Sequence, residues 1–150
     1  MAQGRARFRK RFEAHWRQQA ADEAAARELL GRWDRVLTTY NAVLPRLDAD
    51  PACGPVRKEL LGFGQEVRGQ PGAAGVLRRQ GEAYGMGERS NLARVLADPQ
   101  PERVIGGIME AAEAGMRVRL QEQAAQEAAR RQELACRPRP SQRQGPSMGI

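Results

Sequence analysis

From Arg5 to Leu44 the chain runs without a proline and with one interior glycine, Gly31. Few folds can use so long an uninterrupted stretch except as a helix, because a sheet protein needs a turn every five to ten residues or so. Phe8, Phe12 and Trp16 recur at i, i+4 and i+8, and Leu29, Trp33, Val36, Leu37, Tyr40, Val43 and Leu44 keep one face apolar further on. Between these two stripes, Gln18 to Arg27 is alanine-rich and holds no large apolar group. The pattern predicts one helix with a solvated first half and a buried second half, closed by Pro45.

The rest of the chain is punctuated at short intervals. Asp48-Ala-Asp-Pro51 reads as a turn, and Gly54-Pro55 places a proline at the first position of a second helix. Val56, Leu60, Phe63 and Val67 give that helix one apolar stripe, ending near Gly69. Gln70-Pro71 restarts the chain into a third helix carrying Val76, Leu77 and Tyr84. After a glycine-flanked loop at residues 85–91, Ser90 or Asn91 is placed to cap a short helix bearing Leu92, Val95 and Leu96. Asp98-Pro-Gln-Pro101 is the next break, and a last helix follows with Val104, Ile105, Ile108, Met109, Ala112 and Met116 on its core side. Beyond Leu120 the stripe fades, so Gln121 to Arg131 is expected to be helical but solvated, and the Arg/Pro/Gln/Ser-rich close to be disordered.

The expected fold is therefore all-α: an elongated antiparallel helical bundle with long projecting first and last helices and a disordered C-terminal tail. Its parts are a basic projecting helix at 1–27, a bundle core at 28–118, a projecting helix at 119–136 and a basic tail at 137–150. Aromatic residues are only 5% of the composition, so the core must be built largely from Leu, Val and Ala.

Charge is distributed unevenly. The net charge is +7, of which residues 1–20 carry +5 and residues 137–150 carry +3, leaving a centre near neutrality. An acidic partner would meet the ends. The chain has one histidine, His15, and two cysteines, Cys53 and Cys136, at no metal-ligand spacing. Only Lys10 and Lys58 are available as lysines, and neither follows a glycine, so no phosphate-binding P-loop is present. Gly62-Phe-Gly64 and Gly85-Met-Gly87 lack the strand context and third glycine of a dinucleotide fingerprint. These observations predict no enzyme activity and no cofactor. With no signal peptide or apolar span, and unpaired thiols, they also predict a cytoplasmic protein.

Two basic regions are candidate binding sites. Arg5, Arg9, Lys10 and Arg17 lie on the first helix beside exposed aromatics, where guanidiniums and rings together can grip phosphates and stack bases. Arg137, Arg139 and Arg143 lie in the C-terminal tail and could be read by an acidic groove on a partner protein.

Several phrases resemble a known family: Leu29-Leu-Gly-Arg-Trp-Asp-Arg-Val, Ala49-Asp-Pro, Val76-Leu-Arg-Arg-Gln-Gly-Glu-Ala-Tyr-Gly-Met86, Asn91-Leu-Ala-Arg-Val-Leu-Ala-Asp-Pro99 and the closing Gly-Pro-Ser-Met-Gly-Ile. They are similar to the C-terminal region of conjugative relaxases of the TraA-like, MobA/MobL-related kind from alphaproteobacterial plasmids. That region is in turn similar to the BID (Bep intracellular delivery) domain of type IV secretion substrates. The resemblance covers about residues 10–150. It implies a helical module that serves as a translocation signal in conjugation, recognised through its basic tail by the coupling protein of the secretion channel. It also implies passage from the donor bacterium's cytoplasm into a recipient cell. The nicking tyrosine–histidine site and helicase of whole relaxases have no counterpart in this sequence. The alternative reading is a DNA-binding accessory protein of plasmid mobilisation that uses the basic N-terminal helix.

Overall fold

The computed structural model describes residues 2–87 and 90–137. Among them the structure is all helical: α1 (Ala2–Val43), α2 (Cys53–Gly69), α3 (Pro71–Gln80), α4 (Asn91–Ala97) and α5 (Pro101–Cys136). Short 3₁₀ turns cover Leu44–Arg46 and Gly81–Tyr84, and no strand occurs among the described residues. The chain forms two compact units, Met1–Glu113 and Ala114–Ile150.

The helix boundaries follow from local chemistry. Pro45 cannot donate to an α-helical carbonyl, and the chain tightens there into the 3₁₀ turn, where Leu47 N–H donates to Leu44 O at 3.1 Å. Two carbonyls of this closing turn, those of Val43 and Arg46, each lie 3.5 Å from the buried Cys53 Sγ, which can donate to either. Asp50 Oδ1 accepts from Ala52 N–H, turning the chain into α2. That helix begins at Cys53, so Pro55 is its third residue rather than its first. Ser90 caps α4 by accepting from Ala93 N–H at 3.1 Å. Pro71 and Pro101 open α3 and α5, where a missing N–H costs nothing.

The core of the first unit is built where α1, α2 and α3 meet and is completed by α4 and the first turns of α5. Leu29, Trp33, Val36 and Tyr40 of α1 are buried with Leu60, Phe63 and Val67 of α2 and with Ala73, Ala74, Val76 and Leu77 of α3. Trp33 and Phe63 pack with ring centroids 5.1 Å apart. Leu92, Val95 and Leu96 of α4 and Ile105 and Met109 of α5 close the interior. Gly64 matters here: a Cβ at this position would lie 2.9 Å from the backbone nitrogen of Glu102, so only glycine lets α2 come this close to the start of α5.

Ion pairs between helices brace this core. Arg32 on α1 reaches Glu59 at 3.0 Å and Glu66 at 3.2 Å, both on α2. Burial works against its charge, but the two carboxylates outweigh that and raise its pKa above the ordinary value. Arg68 on α2 pairs with Glu102, whose burial is likewise overcome by the guanidinium, leaving that carboxyl below its ordinary pKa. Arg57 on α2 lies 2.6 Å from Glu113 on α5.

Three features differ from the sequence-based expectation. The solvated part of α1 stops before Arg27: Ala26 is fully buried, and Gln19, Asp22, Glu23 and Ala25 are half-buried. The reason is the small residues opposite, because Gly72 of α3 comes directly against the Asp22 carboxylate. Tyr84 falls outside α3, in the 3₁₀ turn, where Arg27 lies 5.5 Å from its ring centroid. On α5 the buried line is Pro101, Ile105, Met109 and Glu113, while Val104, Ile108, Ala112 and Met116 are half-buried.

In the second unit, α5 continues to Cys136 and every residue from Gln121 to Arg137 is exposed. The tail expected to be disordered lies, from Pro138 onward, outside the described residues.

Candidate functional site

Every residue from Ala2 to Gln18 of α1 is exposed, yet this stretch contains three of the chain's seven aromatic side chains. Phe8 is 72% exposed, Phe12 53% and Trp16 54%. They are not scattered. The i, i+4 spacing sets their rings in contact along one line: Phe8 and Phe12 have centroids 6.4 Å apart and nearly parallel planes, and Phe12 meets Trp16 edge-on at 5.9 Å. Helix geometry produces this ladder, since four residues rise about 6 Å and turn only about 40°.

The cations divide around the ladder. At about 100° per residue, Arg5 lies within about 20° of Phe12, and Arg9 within about 20° of Trp16. Both guanidiniums therefore share the aromatic face. Lys10 and Arg17 stand at least about 100° around the helix from each of the three rings, so the structure separates them from Arg5 and Arg9. His15 and Arg11 flank the other edge of the ladder, near Phe8, and sequence reasoning overlooked both as members of this surface. A helical projection of positions 5–16 would have shown them. None of Arg5, Arg7, Arg9, Lys10 and Arg11 makes an ion pair among the described residues. That sets them apart from Arg32, Arg57 and Arg68, whose charges are engaged inside the bundle.

The second candidate site is only partly visible. Arg137 is exposed and lies 3.5 Å from the Glu133 carboxylate, one helical turn back. Arg139 and Arg143 lie outside the described residues.

Other polar groups in the fold serve packing. Glu113 is 4% exposed; Arg57 donates to its Oε2 at 3.3 Å, and the guanidinium Nε lies 2.6 Å from Oε1 as an ion pair. Tyr40, 2% exposed, donates to the Met109 carbonyl at 3.3 Å. Burial, and after it the nearby Glu113 carboxylate, push this phenol up to about 12. An open cleft between α3, α4 and the second 3₁₀ turn is lined by Leu77, Arg78, Arg79, Met86 and Leu96. Its Arg78 guanidinium donates to the Leu96 carbonyl near the end of α4 and so closes that helix. Gly85, at φ +86°, and Gly64 are the glycines of the two Gly-x-Gly pairs that the fold itself requires, one for a left-handed turn and one for close helix approach. Cys53 is buried, Cys136 is exposed, and both are free thiols. Among the described residues no group of three or more His, Cys, Asp or Glu side chains is placed to hold a metal ion, and no helix is long and apolar enough to cross a membrane.

No family model, curated protein or solved structure matches the chain.

Proposed function

We propose that this chain is a non-catalytic helical module that marks cargo for a type IV secretion channel, with the channel's coupling protein as the partner that recognises it. The observation that carries the reading is the contrast in how charge is used. Inside the bundle, arginines are consumed in bracing: Arg32 joins α1 to α2, and Arg57 and Arg68 join α2 to α5. The surplus positive charge is kept for the two ends of the chain. A helical body flanked by basic segments is suited to presentation rather than turnover, because clustered cationic residues are drawn to an acidic groove. The resemblance of several phrases to relaxase C-terminal regions, a region similar in turn to BID domains, suggests a direction for that presentation, namely the secretion of an attached or associated protein.

In this reading Arg137, Arg139 and Arg143 are the residues met by the coupling protein. The test is a fusion of the full chain to a reporter recombinase in a donor strain, scored by recombination in recipients. Replacing Arg137, Arg139 and Arg143 together by Glu should reduce transfer to background while leaving the fusion's abundance and helicity unchanged. Transfer at the wild-type level would overturn the assignment of the tail, and no transfer by the unaltered fusion would overturn the module's role.

A further inference from the structure

We propose that the N-terminal third of α1 is a binding surface for single-stranded nucleic acid, with bases stacked on Phe8, Phe12 and Trp16 and phosphates held by Arg5 and Arg9. This inference stands on the geometry of that face and does not depend on the translocation reading.

Large aromatic side chains are the most expensive groups to leave in water, and a folded protein normally buries them. Here three stand more than half exposed on a stretch of helix in which every residue from Ala2 to Gln18 is exposed. Whatever covers them must fit three properties of the surface. It must be anionic, because residues 1–20 carry +5 and Arg5 and Arg9 make no ion pair among the described residues. It must offer flat apolar faces, because the rings form a ladder with steps of 6.4 and 5.9 Å rather than a groove. And it must accept charge and apolar surface in the same sector, because Arg5 and Arg9 interleave with the rings.

A single strand meets all three. The step between the nearly parallel Phe8 and Phe12 rings is close to twice the rise of about 3.4 Å between stacked bases, so these two can each take one base from a strand whose own stacking is opened. Trp16, edge-on to Phe12, offers its face to a further base at a different angle. The backbone then runs beside Arg5 and Arg9 on one flank, with His15 and Arg11 on the other. A duplex is a poorer occupant, since its base faces are already covered by neighbouring pairs. An anionic membrane surface is also disfavoured by the layout. Interfacial helices keep their cations off the apolar face; Lys10 and Arg17 follow that rule here, but Arg5 and Arg9 lie among the rings, and only three large apolar groups occur between Ala2 and Gln18.

The full-length protein is titrated with an oligothymidylate of about 15 nucleotides, long enough for one site. Tryptophan fluorescence gives the signal: Trp16 is exposed and the other tryptophan, Trp33, is buried, so quenching should vanish in Trp16→Phe while binding, followed by anisotropy of a labelled strand, persists. Phe8→Leu and Phe12→Leu keep the helix and its apolarity but remove a stacking face, and each should weaken binding at least about fivefold. Arg5→Gln with Arg9→Gln should lower the steepness of log K against log salt by about 1.4, the expectation for two phosphate contacts on a single strand. All five positions are exposed, so circular dichroism should show unchanged helicity. The proposal is overturned by the absence of oligothymidylate binding at about 50 mM salt. It is equally overturned if the Phe→Leu variants bind as tightly as the wild type, or if the chain binds anionic phosphatidylserine vesicles and not the oligonucleotide.

Discussion

The two halves of α1 belong to one unbroken helix and each carries an aromatic line, yet they meet opposite fates. Between Ala26 and Val43, Trp33 and Tyr40 are covered by α2 and α5, and the arginine beside them, Arg32, is clamped by two glutamates. Between Ala2 and Gln18, Phe8, Phe12 and Trp16 are more than half exposed, and Arg5 and Arg9 beside them make no ion pair among the described residues. Helix propensity cannot account for the difference, because both halves are helical throughout. What differs is supply across the gap. The second half faces helices that provide apolar side chains and carboxylates, whereas the first half meets only the end of α3, where His15 and Gln18 share an open hollow with Arg79 and Gln80. The same residue types are therefore structural in one place and available for binding in the other.

The sharpest way to break this comparison is to truncate one tryptophan in each half. Trp33 is 4% exposed and packs on Phe63, so Trp33→Ala should cost about 3–5 kcal/mol of stability by denaturant unfolding. Trp16→Ala should stay within about 0.5 kcal/mol of the wild type. If the two losses were similar, Trp16 would be covered by part of the fold, and the ladder would be core.

A smaller effect tests what covers the second half. Gly64→Ala places a methyl group against the backbone of Glu102, which cannot rotate away, and overpacking of this kind should cost about 1–3 kcal/mol. Gly62→Ala, two residues earlier on α2, meets nothing within 4 Å and should stabilise by up to about 1 kcal/mol. Opposite signs from the same substitution would locate the tight contact between α2 and α5 at residue 64.

Much of this architecture could be read from the sequence, because its breaks are chemical. Pro45, Pro71 and Pro101 fix helix ends, and Ser90 is the cap that the sequence suggested. What escaped the sequence depended on partners distant along the chain. Ala26 is fully buried because Gly72, Ala73 and Ala74 on α3 let the two helices approach, and small residues facing small residues leave no hydrophobic periodicity to read. Glu113 is buried because Arg57 meets it, and nothing near residue 113 announces a partner on α2. The N-terminal ladder was legible both as a pattern and as part of a solvated stretch, because the alanine-rich run from Gln18 to Arg27 separates it from the buried stripe; the division of the cations around it was not. Of its four proposed cations, Arg5 and Arg9 share its face, and Lys10 and Arg17 do not.

Tyr40 ties the buried half of α1 to α5, and the tie should respond to alkali. Burial and the Glu113 carboxylate raise its pKa from 10.0 to about 12. A raised pKa means that the fold favours the neutral phenol, so its contribution is complete below pH 10 and is lost as the pH rises through about 12. The thermal midpoint of the wild type should consequently fall more steeply over that range than that of Tyr40→Phe, which has no proton to lose. Parallel curves would mean that the phenol is not held by its surroundings, and that this part of the interior is wetter than its 2% exposure indicates.

The finest test compares one substitution in the two halves. Gly4 and Gly31 both lie inside α1, and alanine suits a helix better than glycine by about 0.5–1 kcal/mol. At Gly31 a Cβ would sit 3.4 Å from the flexible end of Arg35, a contact easily accommodated, so Gly31→Ala should raise global stability by about that amount. At Gly4 a Cβ meets nothing within 4 Å, and the surrounding helix can fray without disturbing the bundle. Gly4→Ala should therefore leave the unfolding midpoint unchanged and act only locally, slowing amide exchange between residues 2 and 18. If Gly4→Ala also moved the midpoint, the two halves would unfold as one cooperative unit, and α1 would not divide into a structural part and a part free to bind.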